Sequence, residues 1–114
     1  MDEPLGLDQA FVRSAEQLNW RPMSPGIEVA SILKDRSREF SVMLLRFAPG
    51  AAAPLHVHEG GEQYYLLEGD LEDGGRLLAP GSFVNHPPGS RHAPRSPSGC
   101  LVYVTWFGRI RPPA

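Results

Sequence analysis

Glycine and proline are spread along the whole of this sequence, and their spacing constrains the fold more than any other feature. The 114 residues include 12 glycines and 12 prolines, far more than long helices accept. They stand between short apolar runs and not in one block, which is typical of turns that separate strands. The distribution therefore predicts many short strands and at most one short helix.

Several of the runs between these breaks have the composition of strands. Residues 27–33 and 40–47 predict a hairpin closed by a charged turn, and 101–107 predicts a final apolar strand. Residues 73–75 (Asp-Gly-Gly) predict a second, tight hairpin. The two prolines of 21–26 predict a loop. Short strands joined by turns predict an all-β fold, namely a small antiparallel β-barrel or jelly roll.

The length of the chain is that of one domain with one core. We expect a flexible N-terminal tail over 1–9, a single domain over 10–108 and a proline-rich C-terminal tail over 109–114. Inside the domain, 10–13 is β-prone and 14–20 predicts a short helical stretch.

Charge, hydropathy and cysteine content exclude several classes of function. The net charge of −2 provides no basic surface for nucleic acid or anionic lipid. No apolar run approaches the roughly 20 residues that span a bilayer. The acidic N-terminus does not resemble a secretory signal, and the lone Cys100 excludes an internal disulfide. We therefore expect a cytoplasmic protein without nucleic-acid or membrane partners, in which Cys100 fills the core.

Three histidines and a glutamate have spacings that suit one metal ion. His56 and His58 are two residues apart, so on a strand they share a face. Glu62 follows a glycine turn, and His92 comes from a remote segment. If Glu62 faces inward, Tyr64 lines the same interior. Imidazole and carboxylate groups are the ligands of Zn, Fe, Mn and Ni, so this pattern indicates a metal site.

The same residues carry a resemblance to a known family. From Gly50 to Gly69 the sequence reads glycine, five residues, His-x-His, three residues, glutamate, six residues, glycine, which matches the first motif of the cupin superfamily. From Gly81 to His92 it reads glycine, five residues, Pro-x-Gly, two residues, histidine, which resembles the second motif. The family usually has asparagine four residues further on, where this chain has Ser96.

The residues around the motifs are similar to one cupin subgroup. Residues 44–50, 60–62, 67–69 and 85–96 resemble the subgroup that includes the metal-binding C-terminal domain of the ChrR anti-sigma factor and the acetylacetone-cleaving dioxygenases. Residues 10–13 and Trp20 also resemble that subgroup's N-terminal strand, which extends the likeness over nearly the whole chain.

The resemblance implies an RmlC-like barrel that holds one divalent metal ion, whether Fe, Zn, Mn or Ni. It implies four ligands, His56, His58, Glu62 and His92. Zinc with four protein ligands is typical of a structural or sensory site. Iron, manganese or nickel prefers six ligands and would leave positions open for a substrate and dioxygen.

Four further residues are candidates for the lining of a pocket. They are Tyr64, Arg46, Phe83 and Tyr103. Each also has a structural interpretation, because the aromatic rings suit core packing and a mid-strand arginine needs an ion-pair partner. His86 precedes two prolines and stands outside the ligand pattern, so we expect it at the barrel mouth or on the surface.

Three functions fit these observations. The first is a non-haem metal-dependent dioxygenase that acts on a small enolisable compound such as a β-diketone. The second is a ChrR-like sensory or regulatory module that binds metal without catalysis. The third is a sugar isomerase or epimerase, for which His86 and Tyr64 are the only acid–base candidates.

The sequence also predicts association of the chain with itself. An exposed strand over 10–13 and the apolar strand over 101–107 would leave edges that invite pairing, so we expect a homodimer. Trp106 either seals one end of the barrel or lies in that interface.

Overall fold

Antiparallel strands make up nearly all of the regular secondary structure of the described residues. The computed structural model describes residues 6–112, except for the side chain of Arg111. Within this range one 3₁₀ turn spans Ala15–Gln17. The strands are β1 (Trp20–Ser24), β2 (Ile27–Asp35), β3 (Phe40–Phe47), β4 (His56–His58), β5 (Glu62–Gly69), β6 (Leu71–Asp73), β7 (Arg76–Leu78), β8 (Phe83–His86), β9 (Ser90–His92), β10 (Cys100–Phe107) and β11 (Ile110–Arg111).

The strands form three sheets. A six-stranded sheet has the order β1-β2-β3-β10-β5-β8, a three-stranded sheet has the order β11-β4-β9, and β6 pairs with β7 alone. All pairs are antiparallel. The predicted all-β jelly-roll fold is therefore confirmed. Among the described residues, no helix is long and apolar enough to cross a bilayer.

Alternation along β5 separates the interior from the solvent. Glu62, Tyr64 and Leu66 point inward and are at most 4% exposed. The register with β10 places Tyr64 opposite Val104 and Leu66 opposite Val102, which are also buried. Burying each such aliphatic side chain contributes about 1.5–3 kcal/mol. One strand therefore carries both the core and a candidate ligand on the same face.

At two positions in the first motif region only glycine fits, because neighbouring backbone lies too close for a side chain. A Cβ at Gly60 would overlap the carbonyl oxygen of Phe107, and one at Gly69 would overlap that of Gly99. Gly69 also has φ +82°, a conformation that side-chain-bearing residues rarely adopt. Gly60 and Gly69 thus allow the two ends of β5 to lie against neighbouring backbone.

The segment before β2 differs from the prediction. The loop expected over 21–26 is mostly strand, because β1 lies at the edge of the sheet, where a proline such as Pro22 costs no ladder hydrogen bond. The β-prone segment 10–13 forms no strand, and the helical stretch expected over 14–20 is only one 3₁₀ turn.

Structure also extends into both predicted tails. The Leu7 amide donates to Asp35 (3.1 Å), and Asp8 forms an ion pair with Arg38 (2.7 Å). At the other end, β11 lies within the predicted proline-rich tail and pairs with β4. Residues 1–5 and 113–114, which complete the two expected tails, lie outside the described residues.

Neither strand that suggested a homodimer is an exposed edge. Residues 10–13 are not a strand, and β10 lies in the middle of the large sheet between β3 and β5. The edges of that sheet are β1 and β8.

Candidate metal centre

Two short strands bring three histidines together. His56 and His58 project from one face of β4, and the β4–β9 register places His92 directly opposite His56. The ring centroids of the three histidines lie 4.5 to 4.9 Å apart. The alternation of side chains along a strand is the reason that His56 and His58 reach the same space.

Glu62 enters this space from the large sheet. It is the first residue of β5, after the Gly60-Gly61 turn, and is 4% exposed. Its neighbours across the ladder are Trp106 on β10 and His86 on β8. Trp106 donates its indole N–H to Glu62 Oε2 (2.7 Å), so one carboxylate oxygen has a fixed partner.

The remaining donor atoms of the cluster lie close together. His58 Nε2 lies 2.9 Å from His92 Nε2, and each of these nitrogens lies 3.3 Å from an oxygen of Glu62. Glu62 Oε1 is buried without a hydrogen bond, and so is His58 Nδ1. An unpaired buried carboxylate oxygen beside two imidazole nitrogens is a feature that a bound cation would satisfy.

His56 completes the set from the more open side. Its Nδ1 lies 2.7 Å from the carbonyl oxygen of Pro54, which leaves Nε2 for the cluster. One donor atom from each of His56, His58 and His92 lies within 4.8 Å of the others. Two nitrogens about 2.1 Å from one ion would lie about 3.0 Å apart at the right angle of octahedral coordination and about 3.4 Å apart at a tetrahedral angle. The 2.9 Å between the His58 and His92 nitrogens is close to the octahedral distance, and it is also the length of an N–H···N hydrogen bond.

Asp73 is a second buried carboxylate whose role no sequence motif indicates. The sequence predicts only a tight turn there, whereas Asp73 Oδ2 accepts from Tyr64 Oη (2.6 Å), His86 Nε2 (2.9 Å) and His92 Nδ1 (3.1 Å). The sequence carries one indication of this role. Leu71 and Asp73 are two residues apart on β6, so the carboxylate shares the inward face of the strand with a buried leucine.

Burial and these contacts set the charge states of the cluster. Burial, helped by the neighbouring histidines, lowers the pKa of His58 to about 3, and burial also lowers the pKa of His56. Both rings are therefore neutral at pH 7, which is the form that binds metal. Burial raises the pKa of Glu62. Burial alone would raise the pKa of Asp73 as well, but hydrogen bonds from His92, Tyr64 and His86 outweigh it and lower that pKa.

An apolar cavity of about 190 Å³ adjoins the cluster. His56, Glu62 and His92 line one side of it. The rest of the lining is mainly apolar and comes from both larger sheets, as with Phe47 and Ile110. No lysine or arginine is among the described residues that line it. A small molecule with an apolar body could therefore lie beside the donor atoms.

Of the four predicted pocket residues, only Tyr64 lines this cavity. Burial and its bond to Asp73 raise the pKa of the Tyr64 hydroxyl. Arg46, Phe83 and Tyr103 are exposed on the outer face of the large sheet, where Arg46 pairs with Glu28 (2.9 Å) and stacks on Trp20. The expectation that these three residues line the pocket is wrong, because they point to the outer face of the sheet. The residues next to them along each strand are the ones that point inward.

Two other aromatic residues have places that the sequence left open. His86 is partly buried, with its ring centroid 4.4 Å from that of His92, so it lies beside the cluster and not simply on the surface. Trp106 lines the cavity and holds Glu62. Cys100 is buried in the core, as expected, and burial raises the pKa of its thiol.

Comparison with known families gives one assignment over most of the chain. Residues 8–109 match the ChrR cupin-like domain family. A search of curated proteins gives no significant match to the sequence.

Solved structures with the same fold include proteins of several kinds. An RmlC-like cupin from Ralstonia eutropha is 21% identical with a TM-score of 0.81, over 90% of this chain and 71% of that one. An acetylacetone dioxygenase from Acinetobacter johnsonii is 18% identical with a TM-score of 0.80, over 90% of this chain and 76% of that one. A chain in the Rhodobacter sphaeroides complex of SigE with the anti-sigma ChrR is 24% identical with a TM-score of 0.71, over 82% of this chain and 51% of that one.

Proposed function

The chain belongs to the ChrR cupin-like domain family, and on that premise we propose that it is a metal-dependent dioxygenase for a small enolisable compound of the β-diketone type. In this proposal His56, His58, Glu62 and His92 bind one divalent ion per chain. The observation that carries the proposal is the apolar cavity beside three of these four residues. A site built only for structure has no need of such a cavity.

The size of the cavity favours a small substrate. Its volume of about 190 Å³ is below the roughly 300–1,000 Å³ of pockets that hold drug-sized ligands. The apolar walls around Phe47 and Val104 would hold alkyl groups and exclude water. Because no described lysine or arginine side chain lines the cavity, a phosphorylated or polycarboxylate substrate would meet no fixed cation among these residues.

The residues of the chain prepare the reacting space before any substrate enters. A divalent ion held there would supply Lewis acidity and a template for the reactants. Trp106 fixes one oxygen of Glu62, so the other oxygen is aimed at His92 and the shared space. His58 is neutral at pH 7, so one of its two ring nitrogens has a lone pair that a metal ion could bind.

A ChrR-like regulatory module without catalysis is the second candidate. It is favoured by the family match, and by the three histidines His56, His58 and His92, which with Glu62 as a fourth ligand would saturate the coordination of zinc. A module of this kind would act through a protein partner and would show no turnover with any substrate.

A sugar isomerase or epimerase is the third candidate and has the least support. Its acid–base pair would be His86 and Tyr64, but the Tyr64 hydroxyl is buried and donates to Asp73. His86 bonds the same carboxylate and is not among the described residues that line the cavity. Neither group is therefore available to a substrate there.

The test measures oxygen uptake by protein loaded separately with iron, manganese, nickel or zinc. The panel contains β-diketones, flavonols and thiols, and metal content is measured on each sample. Val104→Phe would fill the cavity without touching a donor, whereas Tyr103→Phe changes the outward neighbour. We expect uptake with a β-diketone that falls at least about tenfold in Val104→Phe and is unchanged in Tyr103→Phe. Iron-loaded protein that consumes no oxygen with any compound would favour the regulatory module.

A homodimer and a cytoplasmic location remain predictions. Sedimentation velocity at micromolar concentration tests the first, and a monomer there would exclude it. Fractionation of cells that express the native protein tests the second.

A further inference from the structure

Asp73 lies between the two sequence motifs and contacts both a candidate ligand and a histidine beside it. Its side chain comes from β6, in the small β6–β7 hairpin, and the residue is 8% exposed. One oxygen, Oδ2, accepts from His92 Nδ1 and from His86 Nε2. Tyr64 supplies a third donor to the same oxygen. A hairpin outside the ligand strands thus bonds two imidazoles at once.

This bond determines which nitrogen of His92 is free. A carboxylate accepts only, so Nδ1 of His92 must carry the proton in the bond to Asp73. The lone pair of the neutral ring is then on Nε2. That nitrogen lies 2.9 Å from His58 Nε2 and 3.3 Å from Glu62 Oε1. The tautomer that Asp73 selects is therefore the one that aims a lone pair at the donor cluster.

The same carboxylate determines where His86 binds. One donor atom from each of Glu62, His86 and His92 lies within 4.8 Å of the others, so His86 is close enough to serve as a different ligand. In the structure its Nε2 donates to Asp73 (2.9 Å), so that nitrogen has no lone pair to offer. The cluster therefore contains two overlapping donor sets, and Asp73 bonds the histidine that belongs only to the second.

We propose that Asp73 is a positioning residue that holds His92 in its metal-binding tautomer and keeps His86 out of the ligand set. What the proposal says about the ligand set and metal affinity rests on the metal site proposed above. What it says about the tautomer of His92 concerns the protein alone, because the hydrogen bonds are present without an ion. Carboxylates that orient ligand histidines in this way typically change metal affinity by about 10–100-fold.

The experiment compares three variants at Asp73 and its neighbour. Asp73→Leu removes the acceptor, Asp73→Asn keeps an acceptor without the charge, and Tyr64→Phe removes one donor while the carboxylate and both histidine bonds remain. Nitrogen-15 NMR of the metal-free proteins reports the tautomers of His92 and His86. Competition with a chelator gives the affinity of each protein for Zn²⁺, and circular dichroism reports folding.

We expect wild type and Tyr64→Phe to show His92 protonated on Nδ1 and His86 protonated on Nε2. Asp73→Leu should lose this preference at His92 and bind Zn²⁺ about 10–100-fold more weakly. Asp73→Asn should lie between wild type and Asp73→Leu in affinity. Tyr64→Phe should bind within about threefold of wild type, because both histidine bonds are kept.

Two results would overturn the proposal. One is a metal-free wild-type protein in which His92 is protonated on Nε2, and this measurement stands even if Asp73→Leu does not fold. The other is a folded Asp73→Leu or Asp73→Asn with wild-type tautomers and affinity. If wild type has the expected tautomers but binds no Zn²⁺, the metal site fails while the role of Asp73 in selecting the tautomer stands.

Discussion

The interior of this protein has an apolar half and a polar half, and the two are built on different principles. The apolar half includes Leu66 and Val102, whose burial stabilises the fold. The polar half consists of His58, Glu62, Asp73 and His92, all at most 8% exposed. It leaves three buried atoms without hydrogen bonds, namely His58 Nδ1, Glu62 Oε1 and Asp73 Oδ1.

The difference indicates what each half is for. Each unsatisfied buried polar group costs about 1–3 kcal/mol, so the polar half opposes folding where the apolar half drives it. Both halves use the same strand, because Glu62 and Leu66 lie on one face of β5. The cluster lowers the free energy of unfolding, but the strand that carries it is held by the apolar core. Such an arrangement suits a binding site, since the strand fixes the donor atoms before the ligand binds.

The largest effect should come from the apolar half. Leu66→Ala removes a side chain with 0% exposure and should lower the free energy of unfolding by about 2–5 kcal/mol. The matched control is Leu67→Ala, the next residue on β5, which is 40% exposed and should cost below about 1 kcal/mol. Urea unfolding measures both. Equal losses would mean that β5 does not divide inside from outside as described.

The polar half should stabilise the protein against unfolding only when a cation is bound. Zn²⁺ at 100 times its dissociation constant should raise the free energy of unfolding of wild type by about 2.7 kcal/mol. His92→Gln should lose this gain, whereas His86→Gln should keep it, because His86 is bonded to Asp73. Urea unfolding with and without Zn²⁺ is the measurement. A gain retained in His92→Gln would place the ion elsewhere.

Local patterns in the sequence predicted the strands and the four candidate ligands but not the network around them. The spacing of His56 and His58 defines a shared strand face, and the motif glycines define the turns. Asp73 reaches His92 across 19 residues, and no local pattern encodes such a distance. The expected place of Tyr103 in the pocket is wrong. Side chains alternate between the two faces of a strand, and the buried residues here are Val102 and Val104 on either side of Tyr103.

Removing the charge of Glu62 tests the cost of the polar half directly. Glu62→Gln keeps the shape and an acceptor for Trp106 but removes a buried carboxylate. In metal-free protein at pH 7 we expect it to be as stable as wild type or more stable by about 1 kcal/mol. Urea unfolding after dialysis against a chelator measures this. A loss above about 2 kcal/mol would show that the carboxylate stabilises the metal-free fold.

The smallest effect concerns Asp35, a carboxylate outside the cluster that accepts hydrogen bonds from its neighbours. Hydrogen bonds, first from Ser37 and then from the Leu7 amide, lower the pKa of Asp35 from 3.8 to about 2. Because the folded pKa lies below the unfolded one, Asp35 stabilises the fold above about pH 4 and loses that contribution as the pH falls towards 2.

Thermal unfolding of wild type and Asp35→Asn from pH 6 to pH 2 isolates this contribution. The gap between their melting temperatures should narrow over that range as the carboxylate of wild type is protonated. A gap that stays constant would mean that the hydrogen bonds to Asp35 do not depend on its charge.

The central claim is that His56, His58, Glu62 and His92 hold one metal ion, and metal content tests it most directly. Untagged protein purified without added metal is analysed for Fe, Mn, Ni and Zn together with Glu62→Ala and Glu68→Ala. Both glutamates lie on β5, but Glu68 is exposed. We predict about one ion per chain in wild type and Glu68→Ala and a large loss in Glu62→Ala. Wild-type protein that holds no ion even after incubation with each metal, or Glu62→Ala that holds as much as wild type, would contradict the account.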